Sequence, residues 1–305
     1  MKMKKFIAVL AAAGMMSAMM TGCGSSDKGA SDKGADAADA GEWDSTNDIT
    51  VVSREDGSGT RGAFIELFGI EEKVDGEKVD MTTTSAQVTN NTSVMMTTVS
   101  GDEYAIGYIS LGSLDENLVK ALQIDGAEAT AENIENGSYK VSRPFNVAVR
   151  NDLDNEVAKD FLSFIMSTEG QEVVSAAGFI PVSDVEAYAG TKPSGSCVVG
   201  GSSSVSPVME KLIEAYKKVN ENASIELQTS DSTTGMTNAA EGSYDIGMAS
   251  RELKEEEQAN LTGTVIAIDG IAVIVNKANP VDDMSTEQVK SVYVGDVYTW
   301  EDIAE

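Results

Sequence analysis

The sequence has no histidine among its 305 residues. That removes Ser-His-Asp and Cys-His catalysis and the histidine-containing zinc sites. No G-x-x-x-x-G-K-[ST] phosphate loop and no G-x-G-x-x-G fingerprint is present, so the common nucleotide-binding signatures are missing too. Cysteine occurs only as Cys23 and Cys197. No structural disulfide is expected from this pair, and Cys197, in the apolar run "CVVGG", is expected to be a buried core thiol. Positive charge is scarce as well: 22 Lys+Arg stand against 50 Asp+Glu, for a formal charge of −28. Such a surface repels nucleic acid, and no basic stretch with interleaved aromatics offsets it. Nothing in the composition calls for a metal or a cofactor.

What is present begins with a leader. Lys2, Lys4 and Lys5 precede the apolar run Phe6–Met20, and "TGC" follows. The run is short for a membrane span and has the flanks of an export signal. Met20-Thr21-Gly22-Cys23 resembles a bacterial lipobox with Met20 in the usual leucine place. This implies a signal peptide over residues 1–22 and a lipid (palmitate) anchor on Cys23. Residues 23–43 are Gly/Ala/Ser/Asp-rich and are expected to be a disordered tether. About 260 residues remain, enough for one large domain or two lobes.

Short β-branched runs alternate with amphipathic stretches along that remainder, the pattern of α/β layers. Expected strands are Ile49–Val52, Tyr104–Ile109, Phe145–Val149, Cys197–Val199, Ser224–Gln228 and Val265–Val275. Expected helices are Gly62–Phe68, Asn155–Met166, Gly170–Ala177, Pro207–Val219, Met236–Glu241 and Thr286–Val292. Pro207 suits a first helical position. "STEQ" at Ser285–Gln288 reads as a capping box, and Val208, Leu212, Tyr216 and Val219 form one core-facing stripe.

Three of these strand–helix junctions share a chemistry. "SREDGSGTR" (Ser53–Arg61), "GSSSVSP" (Gly201–Pro207) and "SDSTTG" (Ser230–Gly235) are hydroxyl-rich loops, each ending at a helix N-terminus. A helix start presents unpaired N–H groups and roughly half a positive charge, hydroxyls donate without adding charge, and a guanidinium grips two oxygens. One such loop is accounted for by ordinary capping. Three in one chain, the first carrying Arg54 and Arg61, point to a shared anion cleft. In the first loop Ser58 and Thr60 supply hydroxyls and Arg54 the charge. Gly57 and Gly59 are expected to let N–H groups turn to the ligand. Asp56 is a poor anion contact and is expected to hold the Arg54 guanidinium in place.

These segments, together with "DIGMASREL", "IDGIAVIVNKANPV", "AIGYISLGSL" and "FIMSTEGQEVV", resemble the phosphate-binding component of the phosphate ABC transporter. The resemblance covers nearly the whole chain after Trp43. Its order differs from the usual one: the "SREDGSGTR" half precedes the "GSSSV" half, as in a circular permutant, and the chain end "VYTWEDIAE" would run into "ITVVSREDGSGTR" if the ends were joined.

The fold implied is the α/β, two-lobed type II periplasmic-binding-protein fold, hinged between lobes and circularly permuted. One lobe is expected to be residues 44–144 plus 276–305 and the other residues 145–275. The ligands implied are Arg54, Ser58, Gly59, Thr60, Ser203 or Ser204, the Val205 amide, Ser232 and Ser250, with Asp56, Arg61 and Arg251 behind them. Where well-known members carry an aspartate that accepts the proton of hydrogen phosphate, this chain reads Ala249-Ser250-Arg251, so another acceptor, such as Asp56, Asp231 or a backbone carbonyl, is needed. Implied partners are inorganic phosphate, a membrane permease and, through the lipid, the membrane; the protein is expected to be an extracytoplasmic monomer and not an enzyme. Alternatives are a different tetrahedral oxyanion (sulfate, molybdate-like) and a serine phosphatase or esterase using Ser58 or Ser204.

Overall fold

The computed structural model describes residues 43–303. The leader, Cys23 and nearly all of the tether fall outside these residues. A curled sheet organises the rest. Its main path runs through β1 (Thr50–Arg54), β2 (Gln87–Thr89), β3 (Ala105–Ser110), β4 (Ser142–Arg150), β5 (Gly195–Ser202), β6 (Ala223–Ser230), β7 (Ile246–Ala249) and β8 (Leu261–Asn276), in spatial order β6-β5-β7-β4-β8-β3-β1-β2, and the short strands Val119–Ala121 and Ile180–Pro181 also pair with β8. The helices that matter here are α1 (Gly59–Leu67), α2 (Thr92–Ser100), α3 (Glu156–Ile165), α4 (Thr168–Ala176), α5 (Ser206–Val219), α6 (Ser232–Glu241) and α7 (Thr286–Val294).

Strand β8 joins the two halves. Its sequence "LTGTVIAIDGIAVIVN" is rich in β-branched residues and mostly buried, as a strand covered on both faces must be. Leu261–Gly270 pair antiparallel with β4, and Ile271–Val275 pair antiparallel with β3. The apolar packing divides at the same place. Phe145, Val147, Ile266 and Ala267 belong to one core with helices α3, α4 and α5, whereas Tyr139, Val141, Ile271, Val273 and Val275 belong to another with α1 and α7. The packing partner of β8 thus changes inside the strand, at Gly270–Ile271. A continuous β-branched run conceals such a boundary, because both cores take the same residue types.

At the division, Arg143 on β4 faces Asp269 on β8, with Nη2 to Oδ2 at 3.1 Å and both side chains nearly inaccessible. Asp269 also accepts the Ser110 hydroxyl at 2.9 Å, tying the crossover strand to the end of β3.

Local signals work where chemistry is specific. Ser285 caps α7, and Gln288 returns the bond to the Ser285 N–H. Val208, Leu212 and Tyr216 are buried, and Val219 packs against the same core. Helix α5 begins at Ser206, so Pro207 is one residue inside it. Cys197 is buried, and burial pushes its thiol well above the usual range. The described ends meet: the Ile49 N–H donates to the Tyr298 carbonyl at 2.7 Å and the Glu301 N–H to Ser45 at 2.8 Å.

Candidate anion-binding cleft

Arg54 closes β1 and is 2 % exposed. Its Nε and Nη2 donate to the Glu55 carboxylate at 2.7 and 2.8 Å, so Glu55, not Asp56, holds the guanidinium. Asp56 lies on the turn closed by the Ser58 N–H to Glu55 carbonyl bond. There its side chain is 96 % exposed and meets Arg61 Nη1 at 2.7 Å, and Glu55, one methylene longer, folds back instead. Arg61 also donates to the Arg54 carbonyl at 2.8 Å and, through Nε, to Asp80 at 2.8 Å, which clamps the loop to the strand it leaves. Behind Arg54, Tyr108 accepts the Arg54 N–H at 3.1 Å and bonds the Ser53 hydroxyl at 2.9 Å. Burial pushes this phenol up to about 12, so it stays neutral beneath the loop.

Ser58 is the N-cap of α1, its Oγ accepting the Arg61 N–H at 3.3 Å while its own hydrogen remains free to donate. Gly57 and Gly59 have a different reason from the one expected. Neither has a left-handed φ. A Cβ on Gly57 would lie 2.3 Å from Asp231 Oδ1, and one on Gly59 would lie 2.4 Å from Ser232 Oγ and 2.9 Å from Ser250 Oγ. These glycines make room for the other lobe. The Thr233 N–H donates to the Gly57 carbonyl across the same gap at 3.2 Å.

The opposite wall comes from the ends of β5 and β7 and the start of α6. Ser203, Ser204, Ser232 and Ser250 are all buried. Arg54 Nη2 reaches Ser203 Oγ at 3.2 Å, and the Thr60 and Ser204 hydroxyls lie 2.8 Å apart. Ser250 Oγ is 3.4 Å from Ser232 Oγ and accepts from Ser202 Oγ at 2.9 Å. The expected residues Arg54, Gly59, Thr60, Ser203, Ser204, Ser232 and Ser250 therefore meet in one place from two lobes, with Ser58 at the start of the same helix. The Val205 amide does not join them, because it donates to the Ser202 carbonyl at 3.0 Å. Arg251 is turned aside by a two-point pair with Glu257 at 2.7 and 2.8 Å, leaving only its stem against Gly59.

Three participants escaped the sequence reading: Glu55, Ser202 and Thr92. Thr92 begins α2, is 4 % exposed, and places its hydroxyl 3.5 Å from Ser203 Oγ and 3.4 Å from Ser204 Oγ. The signal available was "QVTNNTS", a fourth strand, polar loop and helix start.

The assembled groups are donors. Arg54 Nη1 is buried and has no hydrogen-bond partner among the described residues. The partners of Ser204 Oγ are the Thr60 and Thr92 hydroxyls, an arrangement that donates to an anion but offers no base to a nucleophile. Neither proposed carboxylate acceptor is free to serve. Asp56 points to water, and Asp231 caps α6 with its oxygens on the Thr234 N–H (2.8 Å) and hydroxyl (2.6 Å).

Comparison with known proteins agrees with this geometry. A PBP superfamily domain matches residues 23–169 and 186–305. The phosphate-binding protein PstS 2 of Streptococcus agalactiae serotype V is 52 % identical over 307 residues, spanning all of both chains. The chain belongs to the PstS branch of the PBP superfamily. Its segment order is thus shared from end to end with a PstS 2 protein. PstS 2 of Streptococcus pneumoniae serotype 4 is 41 % identical over 99 % of this chain and 100 % of its own. A crystal structure of a phosphate ABC transporter phosphate-binding protein from S. pneumoniae TIGR4 superposes with a TM-score of 0.67 at 44 % identity. It covers 84 % of this chain and 100 % of that one. The curled sheet with its two apolar cores agrees with the two-lobed α/β periplasmic-binding-protein fold.

Proposed function

We propose that the protein is an extracytoplasmic solute-binding lipoprotein that captures inorganic phosphate between its lobes and delivers it to an ABC transporter permease. The observation that carries this reading is the convergence of Arg54, Thr60, Ser203, Ser204, Ser232 and Ser250 on one buried point from two lobes. In so acidic a chain the global field repels an anion, and these groups reverse it locally. Each hydrogen bond to a charged group contributes roughly 1.5–3 kcal/mol. About four to six of them reach micromolar binding, near −8 kcal/mol, after the costs of dehydration and lost motion. Closure of the lobes removes water and strengthens every such contact.

The lobes are read as residues 44–144 with 276–305, and 145–275, with the Ile271–Val275 stretch of β8 packing on the first. The adjacency of Asp48 and Thr299, which form a β-bridge, supports reading the order as a permutation that joins former neighbours at the surface. The lipobox resemblance at Cys23 supports the anchor, and the place of the similar S. pneumoniae protein in a phosphate ABC transporter supports the permease.

Titration calorimetry with phosphate and with sulfate tests the reading. Phosphate is expected to bind at micromolar concentration or tighter without turnover, and Arg54→Lys, which keeps the charge but loses the planar fork, to weaken it about 10- to 100-fold. A folded sample giving no phosphate heat refutes the proposal. Sulfate deserves equal weight in the experiment because Ser250 and a diverted Arg251 stand where a proton-accepting carboxylate would reject it. Equal affinity for the two anions would make the protein a general tetrahedral-oxyanion binder.

A further inference from the structure

We propose that Thr92 binds the anion directly, making the N-terminus of α2 a fourth donor element of the cleft. This rests on the phosphate-binding reading above and adds a residue to it.

Three observations carry the assignment. The first is position. Asn91 caps α2 through its Oδ1 to the Val94 N–H at 2.8 Å, so the earlier N–H groups of the first turn have no helical partner. Thr92 is nonetheless buried, at 4 % exposure, between the lobes. The second is distance. Thr92 Oγ1 stands 3.5 and 3.4 Å from the Ser203 and Ser204 hydroxyls, whereas Thr60 and Ser204 lie 2.8 Å apart. Strong O–H···O bonds are shorter than the Thr92 separations. Such spacing suits donors that share a partner better than donors that satisfy one another.

The third observation is independent of the hydroxyls. Glu55 occupies the Nε–Nη2 edge of Arg54, so the Nη1–Nη2 edge is the one presented at Ser203, and Nη1 is buried with no partner among the described residues. Arg54 and Thr92 therefore flank Ser203. An oxyanion seated between them takes the free guanidinium N–H, the Thr92 hydroxyl and the positive end of α2 together. A hydroxyl also accepts a hydrogen bond, which suits a ligand that carries a proton at neutral pH.

The test is calorimetry of inorganic phosphate binding to the intact protein and to Thr92→Val, Thr92→Ser and Arg54→Ala, with thermal melts to confirm folding. Valine keeps the shape and removes the hydroxyl. Thr92→Val is expected to bind about 10- to 100-fold more weakly, with Thr92→Ser within about threefold of the unsubstituted protein. Should Thr92→Val fail to fold, Thr92→Ala removes the same hydroxyl and carries the same expectation. Wild-type affinity in the folded valine or alanine variant, with Arg54→Ala still impaired, would overturn the role of Thr92 and leave the cleft reading intact. Equal losses in the valine and serine variants would overturn it too, since packing and not the hydroxyl would be responsible. Absence of phosphate binding by the unsubstituted protein would overturn both.

Discussion

Replacing Gly57 by alanine should hold the lobes apart without removing a single donor to the anion. The added Cβ would stand 2.3 Å from Asp231 Oδ1 and 2.6 Å from its Cγ, where ordinary contact begins at 3.4 Å. Relief requires a local retreat of about 1 Å, and Asp231 is poorly placed to give way. It caps α6 with bonds of 2.8 and 2.6 Å to Thr234, and losing a cap costs about 1 kcal/mol. Overpacking of this kind costs roughly 1–3 kcal/mol, which corresponds to phosphate affinity about 5- to 150-fold lower.

The separated state should be unharmed. Gly57 is not in the left-handed region, so alanine fits its backbone and slightly restricts the unfolded chain. Calorimetry should therefore show weaker binding, small-angle scattering a smaller phosphate-dependent compaction, and thermal melting of the ligand-free protein an unchanged or slightly raised midpoint. The double variant Gly57→Ala/Asp231→Ser, with a shorter residue that still caps, should recover affinity. Gly57→Ala with wild-type affinity and full compaction would refute the steric account of this glycine.

Two further outcomes follow from the buried charges. Glu55→Ala strips a partner from a guanidinium that is 2 % exposed and should lower urea-unfolding stability by about 1–3 kcal/mol. Asp56→Ala, at a fully hydrated position, should stay within about 0.5 kcal/mol. Equal effects would return the orienting role to Asp56. Burial raises Asp269 to about 6 from an ordinary 3.8, against the opposing pull of Arg143, Ser110 and the Gly112 N–H. A raised carboxyl contributes stability that is complete below about pH 4 and is lost as pH rises through about 6. The stability of the unsubstituted protein relative to Asp269→Asn should accordingly fall between pH 4 and pH 6 in urea titrations. A difference that stays flat across that window would show that Asp269 does not titrate there.

Much of the cleft was legible because its chemistry is local. A β-branched run, a hydroxyl-rich loop and a helix start pick out the loops Ser53–Arg61, Gly201–Pro207 and Ser230–Gly235 without tertiary information, the family resemblance singles out Ser204 and Ser232 within them, and the capping box at Ser285 is equally self-contained. Helix α2 was not legible. "TSVMMTTVS" is dominated by Thr, Ser and Val, which lose rotamer freedom in a helix or compete for its backbone, and the Asn91 cap with the packing of Met95 and Val99 holds it. Thr92 was hidden with its helix. The short strand β7, "IGMA", is buried at all four positions and so shows no alternation to read. Glu55 and Asp56 were confused for a further reason. Sequence places both carboxylates near Arg54, but only the turn at Ser58 decides which one faces inward. The roles of Gly57 and Gly59 depend on residues more than a hundred positions away, and no inspection of the loop alone reveals them.

Both ends of the described chain sit on the half that carries Arg54, with Trp43 packed against Tyr104 and Trp300. Whatever pulls on the polypeptide upstream of Trp43 therefore loads that half alone. The half built on α3, α5 and α6 hangs from it by the strands that bear Arg143 and Asp269. A restraint upstream of Trp43 would thus act on the Arg54 side of the cleft and reach the Ser232 side only through those strands and the contacts across the cleft.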